Sequence, residues 1–309
     1  MDYIKIFSPA TVANVSCGFD SLGFAVDEIG DEMTFVKTPE KGVEIKNITG
    51  AALTYDVNKN SASAVVQKML IDADANFGVQ LTIHKGYTPG SGLGSSAASS
   101  AGAAFGVNQL LGNKFSKLEL TKYAMFGEEV ACGSQIADNV AAAIYGGFVL
   151  IRSYKPLEVI GLPVPKELRL VAIHPQIEVR TEDSRNVLPE KILLKDAVTQ
   201  WANVGGLISG LYTEDYKIIS NSLVDVIVEP HRKKLIPYFD DVKNAALTAG
   251  ALGAGISGSG PTIFALCKGD ENMKEVHNAI KKSYENKNID FQLFTSKINR
   301  EGIKILESN

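Results

Sequence analysis

The stretch PGSGLGSSAASSAGAA, residues 89–104, joins a glycine-rich loop to a run of small residues that favours a helix. Glycines alternate with other residues at Gly90, Gly92 and Gly94. Because glycine has no Cβ, it permits positive φ angles and lets the backbone come close to a ligand. Successive backbone N–H groups can then face inward and bind an anion. The stretch therefore predicts a phosphate site with a helix directly behind it.

The helix after the loop would strengthen this site. Its first N–H groups have no partner within the helix, and its dipole places positive charge at the same end. Ser95 or Ser96, at the helix start, can cap the helix or offer a hydroxyl to a metal ion bound to phosphate. The loop matches neither the Walker pattern nor the dinucleotide-binding fingerprint. A plain turn with close strand–helix packing is the alternative, but phosphate binding is favoured.

A second glycine-rich stretch, GAGISG at residues 253–258, matches the dinucleotide fingerprint letter by letter. That fingerprint must leave a strand and open a helix. Here a helix-like segment precedes the glycines and an apolar strand, residues 262–267, follows them. Two interpretations stay open: a tight turn for close backbone packing, or a wall of an active site. Together the two windows, 86–94 and 250–260, hold nine of the 28 glycines.

Length and composition set the class of protein. A chain of 309 residues suits about two domains, and 45% hydrophobic with 21% charged residues is typical of a globular protein. The net charge of −4 lacks the basic excess of nucleic-acid binders, so no nucleic-acid partner is predicted. No window approaches 18 consecutive apolar residues, and the N-terminus does not resemble a signal peptide. Three widely spaced cysteines indicate reduced thiols, so we expect a cytoplasmic protein without membrane contact.

Strand-like and helix-like segments alternate without strict βαβ regularity, which predicts an α+β fold. The densest proline cluster, within residues 155–168, predicts a boundary between domains 1–155 and 156–309. The polar segment Thr181–Arg185 is predicted to be a loop. The predicted strands cover residues 4–7, 33–37, 43–48, 79–84, 148–151, 168–174, 262–267, 291–294 and 303–306. The predicted helices cover residues 60–74, 95–111, 116–132, 133–143, 193–212, 215–225, 239–247 and 271–284.

A few charged residues are candidates for a site. Glu128 lies near the end of a predicted helix, and a carboxylate near a phosphate loop can hold Mg²⁺. Arg185 and Arg232 each precede an apolar run, where an arginine can bind a carboxylate through two hydrogen bonds. Taken singly, each of these residues is typical of a solvated surface. The four histidines share no metal-ligand spacing, and no Ser/His/Asp arrangement is evident.

Taken together, these segments resemble the GHMP family of small-molecule kinases. The loop at 89–97 is similar to that family's phosphate-binding motif, and residues 253–261 are similar to its C-terminal glycine motif. Within the family the resemblance is to the homoserine kinases. The segments that carry it are PATVANVSCGFDSLG at 9–23, ADNV at 137–140, VRTEDSR at 179–185 and EPHR at 229–232.

The resemblance implies a two-domain α+β fold, with an N-terminal domain like ribosomal protein S5, a ferredoxin-like C-terminal domain and an active site between them. It implies ATP-dependent phosphorylation of the side-chain hydroxyl of L-homoserine, a step of threonine biosynthesis, and a homodimer. Two alternatives stay open: a kinase of this fold for another small alcohol, and a non-catalytic protein that binds metabolites.

The resemblance also assigns roles by position. Asp138, Asn139 and Thr181 would lie nearest the reacting hydroxyl, with Asn139 orienting it. ATP would contact residues at the adenine and along the phosphate loop: Asn60, Pro89, Gly90, Ser91, Gly92, Leu93, Gly94, Ser95 and Ser96. The substrate's amino-acid end would contact Asn14, Asp20, Arg185 and Arg232. Mg²⁺ would be held by Ser95 or Ser96 together with Glu128. Whether any residue acts as a base is left open.

One residue departs from the pattern of the homoserine kinases. They usually have His-Ala-Asp-Asn in the middle of the chain, and here Ile136 replaces the histidine. Isoleucine cannot form a hydrogen bond, so a contact made by that histidine is either absent or supplied by a neighbour such as Gln135. The departure concerns fine substrate preference.

Overall fold

A computed structural model describes residues 1–285 and 287–309 of the chain. The strands are β1 (Tyr3–Ala13), β2 (Leu22–Thr38), β3 (Val43–Thr49), β4 (Gly78–His84), β5 (Phe148–Tyr154), β6 (Leu157–Leu162), β7 (Leu168–Pro175), β8 (Gly253–Ile256), β9 (Ile263–Lys268), β10 (Phe291–Lys297) and β11 (Lys304–Ser308). The helices are α1 (Ser61–Asp72), α2 (Ser95–Leu110), α3 (Lys117–Cys132), α4 (Asp138–Tyr145), α5 (Thr181–Asn186), α6 (Leu194–Thr213), α7 (Tyr216–Ser222), α8 (Glu229–Arg232), α9 (Phe239–Thr248) and α10 (Gly269–Tyr284). Within these ranges, no helix combines the length and apolar character that crossing a membrane requires.

The larger sheet is built around the long strand β2. It contains the strand order β11-β1-β2-β4-β3, and β5 pairs with the first residues of β2 and with β6. β1 and β2 are antiparallel over nearly their whole length, whereas β3 and β4 are parallel. The late strand β11 pairs antiparallel with β1, so the two ends of the described chain meet in one sheet.

The smaller sheet has the antiparallel order β10-β7-β9-β8. Helices α9 and α10 cover one of its faces and form a separate apolar core with it. The other face packs against the N-terminal half. There Phe264 of β9 lies 6.3 Å, centroid to centroid, from Phe24 of β2, whose ring in turn lies 4.8 Å from that of Phe148 of β5 at a tilt of 40°. A continuous apolar core therefore joins the halves, and the predicted α+β class is confirmed.

Small residues explain how α2 lies at the centre of the N-terminal half. This helix packs against β1, β2, α1, α3 and α4, and it is buried almost all round. A Cβ at Gly106 would collide with the ring of Phe35, and one at Gly102 would collide with Met33. The run of alanine, serine and glycine thus lets the helix lie directly on the sheet, with its N-terminus at the glycine-rich loop.

The structure corrects several sequence predictions. Thr181–Arg185 is helical rather than a loop. Tertiary contacts stabilise α5, such as the hydrogen bond from Ser184 Oγ to the Ser259 carbonyl at 2.6 Å, and its sequence shows no helical period of apolar residues. The helix predicted from residue 133 begins at Asp138, since Gly133 ends α3 in a left-handed conformation. β2 begins at Leu22, earlier than the predicted residue 33. The prediction missed its first residues because they are buried on both faces and show no alternation of apolar and polar side chains.

The predicted boundary at residues 155 and 156 lies at the tip of the hairpin between β5 and β6. The strand β6 therefore belongs to the larger sheet, and so does β11 at the far end of the chain. The predicted division into 1–155 and 156–309 therefore assigns β6 and β11 to the C-terminal domain, whereas both strands pair in the larger sheet.

A buried ion pair lies directly beneath the start of α2. Lys85 follows β4 and is 3% exposed, and its partner Asp31 of β2 is fully buried. The Lys85 ammonium also donates to the Ser95 carbonyl at 2.9 Å and to Ser99 Oγ at 3.0 Å. Burial raises the pKa of Asp31 and lowers the pKa of Lys85, so each charge depends on the other to remain ionised.

We expect Lys85→Met to lower the free energy of unfolding by about 3–5 kcal/mol, because it leaves the buried Asp31 carboxylate without a counter-charge. Equilibrium unfolding in urea measures the change. The double variant Lys85→Met/Asp31→Leu should recover most of the loss, since neither charge remains.

The control is Lys37→Met, which breaks a surface pair with Asp2. It should cost less than about 1 kcal/mol. A Lys85→Met protein that unfolds at the urea concentration of the unmodified chain would contradict a structural role for the buried pair.

Candidate active site

A cleft of about 560 Å³ opens between the two halves of the molecule. Its size is in the range of sites for small ligands. The N-terminal half contributes the glycine-rich loop, Glu128 and the start of α4, and the C-terminal half contributes α5, Arg232 and the second glycine-rich stretch. The cleft therefore brings both glycine windows to one place.

The loop from Pro89 to Gly94 has the backbone geometry that an anion site needs. Gly90, Gly92 and Gly94 have φ angles of +76°, +83° and +67°. Gly94 is the N-cap of α2 and provides no side-chain cap, so the first N–H groups of α2 stay available to a ligand. A Cβ at Gly94 would collide with Thr11 and Asn139. Glycine is thus required at this position by space as well as by conformation.

The second glycine-rich stretch fulfils both interpretations left open by the sequence. Ser257 Oγ donates to the Gly92 carbonyl at 2.7 Å, and the Thr262 N–H donates to the Ser91 carbonyl at 3.2 Å. A Cβ at Gly92 would collide with the carbonyl oxygens of Ser257 and Gly260. The stretch packs backbone against backbone on the loop, and Gly258, together with the next residue Ser259, also lines the cleft.

Two residues of the predicted loop face away from the cleft. Ser91 is 2% exposed, and Leu93 is fully buried in the core between the halves. The Leu93 carbonyl accepts hydrogen bonds from the Thr11 N–H at 3.0 Å and from Tyr87 Oη at 3.1 Å. Their side chains hold the loop in place, so these two residues can offer a ligand only their backbone.

A buried carboxylate lies across from the loop on α3. Ser96 Oγ donates to one oxygen of Glu128 at 3.0 Å, and Ser100 Oγ approaches the other at 3.4 Å. Burial raises the pKa of Glu128 to about 7. Residues 1–285 and 287–309 contain no group of three or more His, Cys, Asp or Glu side chains suited to a metal ion. One carboxylate with serine hydroxyls is still a fitting partial set for Mg²⁺, which takes further ligands from phosphate and water.

Lys85 and Thr11 also contribute to this region, and both are absent from the residues singled out in the sequence. Lys85 lines the cleft beneath α2. Thr11 Oγ1 donates to Asn139 Oδ1 at 2.7 Å and so orients that amide. A signal for Lys85 did exist, because a charged residue directly follows an apolar strand and precedes the glycine-rich loop. Thr11 lies in the segment 9–23 that carries the resemblance, but its role depends on a contact with a residue more than a hundred positions away.

A strained turn after β1 forms one wall of the cleft. Asn14, Val15 and Ser16 have φ angles of +69°, +43° and +62°, which is costly for a β-branched residue such as Val15. The turn directs Asn14 so that its Nδ2 donates to the Gly258 carbonyl at 2.7 Å and its Oδ1 accepts from the Asp20 N–H at 3.0 Å. Asn14 thereby ties the N-terminal half to the second glycine-rich stretch.

Two arginines converge on Asp20 and Phe19. Arg185 donates to both carboxylate oxygens of Asp20, at 3.0 and 3.1 Å. Arg232 is 3% exposed, and burial lowers its pKa to about 10. The two guanidinium carbons lie 5.7 and 4.9 Å from the centre of the Phe19 ring. This end of the cleft therefore holds two cationic groups and one carboxylate close together.

Between these ends lie the residues predicted to be nearest the reacting group. Asp138 opens α4, is 2% exposed and accepts from the Asn139 N–H at 2.8 Å. Burial raises the pKa of Asp138 to about 7, and the charge of Asp20 adds to the shift. Thr181, at the first position of α5, lines the opposite wall.

The remaining positions differ in how they face the cleft. Asn60 lines it, but its side chain is engaged as the N-cap of α1: Oδ1 accepts from the Ala62 N–H at 3.1 Å and Nδ2 donates to the Thr54 carbonyl at 3.0 Å. Ile136 also lines the cleft. The Gln135 amide instead donates to Glu129 on the surface at 2.7 Å, so it is not in place to substitute for the missing histidine.

The raised pKa of Asp138 predicts a pH-dependent effect of Asp138→Asn. The folded chain keeps this carboxyl protonated up to about pH 7, whereas an unfolded chain releases the proton near its ordinary pKa of 3.8. The stability of the unmodified chain therefore falls as pH rises through this window, relative to a variant with a neutral side chain. We expect the melting temperature of Asp138→Asn, minus that of the unmodified chain, to increase by several degrees between pH 4 and pH 8.

Thermal unfolding of both proteins without ligand measures this difference. The exposed Asp290 provides the control, and Asp290→Asn should give a difference that does not change with pH. A constant offset for Asp138→Asn across the same range would show that the carboxyl is ionised in the folded chain.

The family models that match the chain are "GHMP kinases N terminal domain" over residues 60–147 and "GHMP kinases C terminal" over residues 207–286. A homoserine kinase from Chlorobium phaeovibrioides is 47% identical, with 99% of this chain and all of that protein covered. One from Methanococcus maripaludis is 40% identical over 91% of this chain and 93% of that protein.

Solved structures agree with these matches. The crystal structure of a homoserine kinase from Cytophaga hutchinsonii has 51% identity and a TM-score of 0.95, with 99% of this chain and 98% of that chain covered. The mevalonate kinase of L. major, at 18% identity and a TM-score of 0.72 over 95% and 96% of the two chains, shares the fold. The two-domain GHMP kinase fold is thus confirmed. On both sequence and structure, this chain belongs to the homoserine kinases of the GHMP family.

Proposed function

We infer that this chain transfers the γ-phosphoryl group of ATP to the side-chain hydroxyl of L-homoserine, giving O-phospho-L-homoserine for threonine biosynthesis. Relatives called homoserine kinase align with it over 99–100% of its length at 43–47% identity. The geometric observation that supports this function best is the cleft itself. A phosphate loop at one end and a pair of arginines beside a carboxylate at the other suit a nucleotide and an amino acid bound together.

We propose that the loop Pro89–Ser96 holds the ATP phosphates through backbone N–H groups and the N-terminus of α2. Phosphoryl transfer proceeds through a loose transition state, so it needs alignment and charge neutralisation more than covalent help. Fixed N–H donors and a helix dipole neutralise charge without reorganising during the reaction. Asn60, whose side chain caps α1, would shape the wall beside the adenine rather than bond to it.

The proposed Mg²⁺ site consists of Ser95 or Ser96 together with Glu128. All three residues line the cleft beside the loop, and their oxygen atoms are the ligand type that Mg²⁺ prefers. When bound, Mg²⁺ would neutralise charge on the ATP phosphates. Burial raises the pKa of Glu128 to about 7, and a bound cation would favour its ionised form.

The amino-acid end of the substrate would be bound by exchange of an existing ion pair. In the described structure Arg185 pairs with Asp20 at 3.0 Å. A zwitterion can insert its ammonium group at Asp20 and its carboxylate at Arg185, so both side chains keep an opposite charge. Arg232 supplies a second cation for the carboxylate, and Asn14 positions Asp20 through the hydrogen bond to its N–H.

Asp138, Asn139 and Thr181 are proposed to surround the reacting hydroxyl. Thr11 occupies Asn139 Oδ1, so the amide nitrogen is the atom that Asn139 can offer to the hydroxyl oxygen. Of the three residues, Asp138 is the one that titrates near neutral pH. Its raised pKa of about 7 is in the range where a carboxylate can accept a proton at neutral pH.

A cytoplasmic location is also proposed. The free thiols of Cys17, Cys132 and Cys267 support a reducing compartment. The acidic composition, with a net charge of −4, supports small-molecule rather than nucleic-acid partners.

A panel of alcohols tests the function. With ATP and Mg²⁺, we expect ADP release to be fastest with homoserine and negligible with mevalonate, shikimate and galactose, because only an amino acid satisfies both Asp20 and the arginines. Phosphorylation of another alcohol without turnover of homoserine would assign a different kinase activity.

The same assay examines the carboxylate site. Arg185→Ala should raise KM for homoserine about 10- to 100-fold, because the variant loses a charge-assisted hydrogen bond to the substrate carboxylate. KM for ATP should stay unchanged. Arg152→Ala is the control, because Arg152 is 55% exposed and pairs with Glu158 outside the cleft. Equal effects on the two KM values would contradict the assignment of Arg185 to the amino acid.

Glu128→Gln tests the metal site. The variant keeps the size of the side chain but loses the charge, so we expect half-maximal activity to require about 10- to 100-fold more Mg²⁺. A titration of Mg²⁺ at fixed ATP and homoserine measures this.

Glu129→Gln is the matched control, since Glu129 is adjacent in sequence but exposed and bonded to Gln135. It should respond to Mg²⁺ like the unmodified chain. If Glu128→Gln also does so, the metal is held elsewhere.

A further inference from the structure

Tyr154, at the end of β5, joins two segments that form the cleft. Its Oη donates to the Asp20 carbonyl at 2.9 Å and accepts from the Ala137 N–H at 3.3 Å. Residues 20 and 137 are more than a hundred positions apart in the chain, so one hydroxyl group links two backbones that are distant in sequence. The Tyr154 side chain is not among those that line the cleft. Its effect on a bound substrate would therefore be indirect.

The two linked segments have no regular secondary structure. Asp20 lies in the turn between β1 and β2 with a φ angle of +52°. Ala137 ends the irregular stretch 133–137 between α3 and α4, and as the N-cap of α4 it provides no side-chain cap. On its other side Asp20 is held through its N–H, which donates to Asn14 Oδ1 at 3.0 Å. Because neither segment has a ladder of backbone hydrogen bonds, contacts with side chains decide where each one lies.

The linked segments carry the two ends of the proposed amino-acid site. Asp20 would bind the ammonium group, whereas Asp138 and Asn139, which directly follow Ala137, would surround the reacting hydroxyl. Burial raises the pKa of the Tyr154 phenol, and the charges of Asp138 and Asp20 add to the shift. The phenol therefore keeps its proton at neutral pH and remains a hydrogen-bond donor to the Asp20 carbonyl.

We propose that Tyr154 is a positioning residue that fixes the spacing between the ammonium site and the hydroxyl site, and so selects the chain length of the amino alcohol. The inference rests on the proposed homoserine kinase activity. An alcohol one methylene shorter or longer than homoserine would fit only one of the two sites at a time. One methylene is commonly worth about 10- to 200-fold in specificity, and a misplacement of about 1 Å can cost about 100-fold in rate.

Tyr154→Phe tests the proposal, because it removes the hydroxyl and keeps the ring. The assay compares kcat/KM for homoserine, for serine, which is one methylene shorter, and for 2-amino-5-hydroxypentanoic acid, which is one methylene longer. The unmodified chain should prefer homoserine, and the variant should lose about tenfold of its preference over the longer alcohol. KM for ATP should stay unchanged, since Tyr154 acts on the amino-acid end. A merely structural role would lower activity on all three alcohols by the same factor and leave their ratio intact.

Tyr123→Phe is the matched control. Tyr123 Oη donates to Asp72 at 2.9 Å, the same length as the bond from Tyr154, but this pair joins α3 to α1 outside the cleft. The control should keep the ratios of the unmodified chain. The two variants should also melt within a few degrees of each other. Helix α4 is held against β2 independently of Tyr154, because the Asp138 carbonyl lies where a Cβ at Gly23 would be.

Amide hydrogen exchange in the protein without ligand tests the contact itself, independently of any activity. The Ala137 N–H should be protected in the unmodified chain and in Tyr123→Phe, and it should exchange several-fold faster in Tyr154→Phe. An unprotected Ala137 N–H in the unmodified chain would overturn the proposal, and so would a Tyr154→Phe protein that keeps the original preference among the alcohols. An unmodified chain that phosphorylates none of the three alcohols would overturn the proposed function, and this inference with it.

Discussion

At Gly92 the glycine-rich loop meets the carbonyl oxygens of Ser257 and Gly260, with no side chain between the two backbones. This contact brings elements from the two halves of the chain to opposite walls of one cleft. The hydrogen bond from Ser257 Oγ to the Gly92 carbonyl fixes the distance between them. A larger residue at Gly92 would separate the halves and move Arg185 and Arg232 away from the glycine-rich loop. The width of the cleft therefore depends on direct backbone contact at Gly92, where a side chain would not fit.

Several ionisable side chains of the cleft are buried without a partner of opposite charge. Beside the half-buried pair of Asp20 and Arg185, some ionisable groups in or next to the cleft are 7% exposed or less: Asp31, Lys85, Glu128, Asp138 and Arg232. Only the first two form an ion pair with each other. Burial without a direct partner raises the pKa of the two remaining carboxyls to about 7 and lowers that of the arginine to about 10. Positive charge brought by a ligand would favour the ionised form of the two carboxyls, and negative charge would offset the buried charge of Arg232. Part of the binding energy would then come from relieving an unfavourable burial.

Much of this architecture could be predicted from local patterns. Glycine windows, apolar periods and the alanine-rich run near Ser95 are local signals, and they led to the class of fold and to the loop. Features that depend on partners distant in sequence could not be found this way. The helix at Thr181–Asn186 is too short to show a period and exists through its contacts with Ser259 and Asp20. The first part of β2 is buried on both faces, so the alternation that marks a strand is missing.

The candidate site shows the same division. Motif positions led to residues that line the cleft, apart from Ser91 and Leu93, whose side chains turn inward. A motif records which residues recur together, but not which atom of each faces the ligand. Asn60 illustrates this, since both ends of its amide are used by the backbone around α1.

The pairing of β11 with β1 has a consequence for how the protein is made. β1 is synthesised long before its outer neighbour, residues 304–308, because the two segments lie far apart in the chain. Through most of translation one edge of β1 therefore has unpaired N–H and C=O groups, which are open to association with other nascent chains. Joining the two ends, which already touch through Asn309 and Tyr3, and opening the chain elsewhere would let this edge form early. Such a circular permutant would separate the stability of the fold from the order of its synthesis.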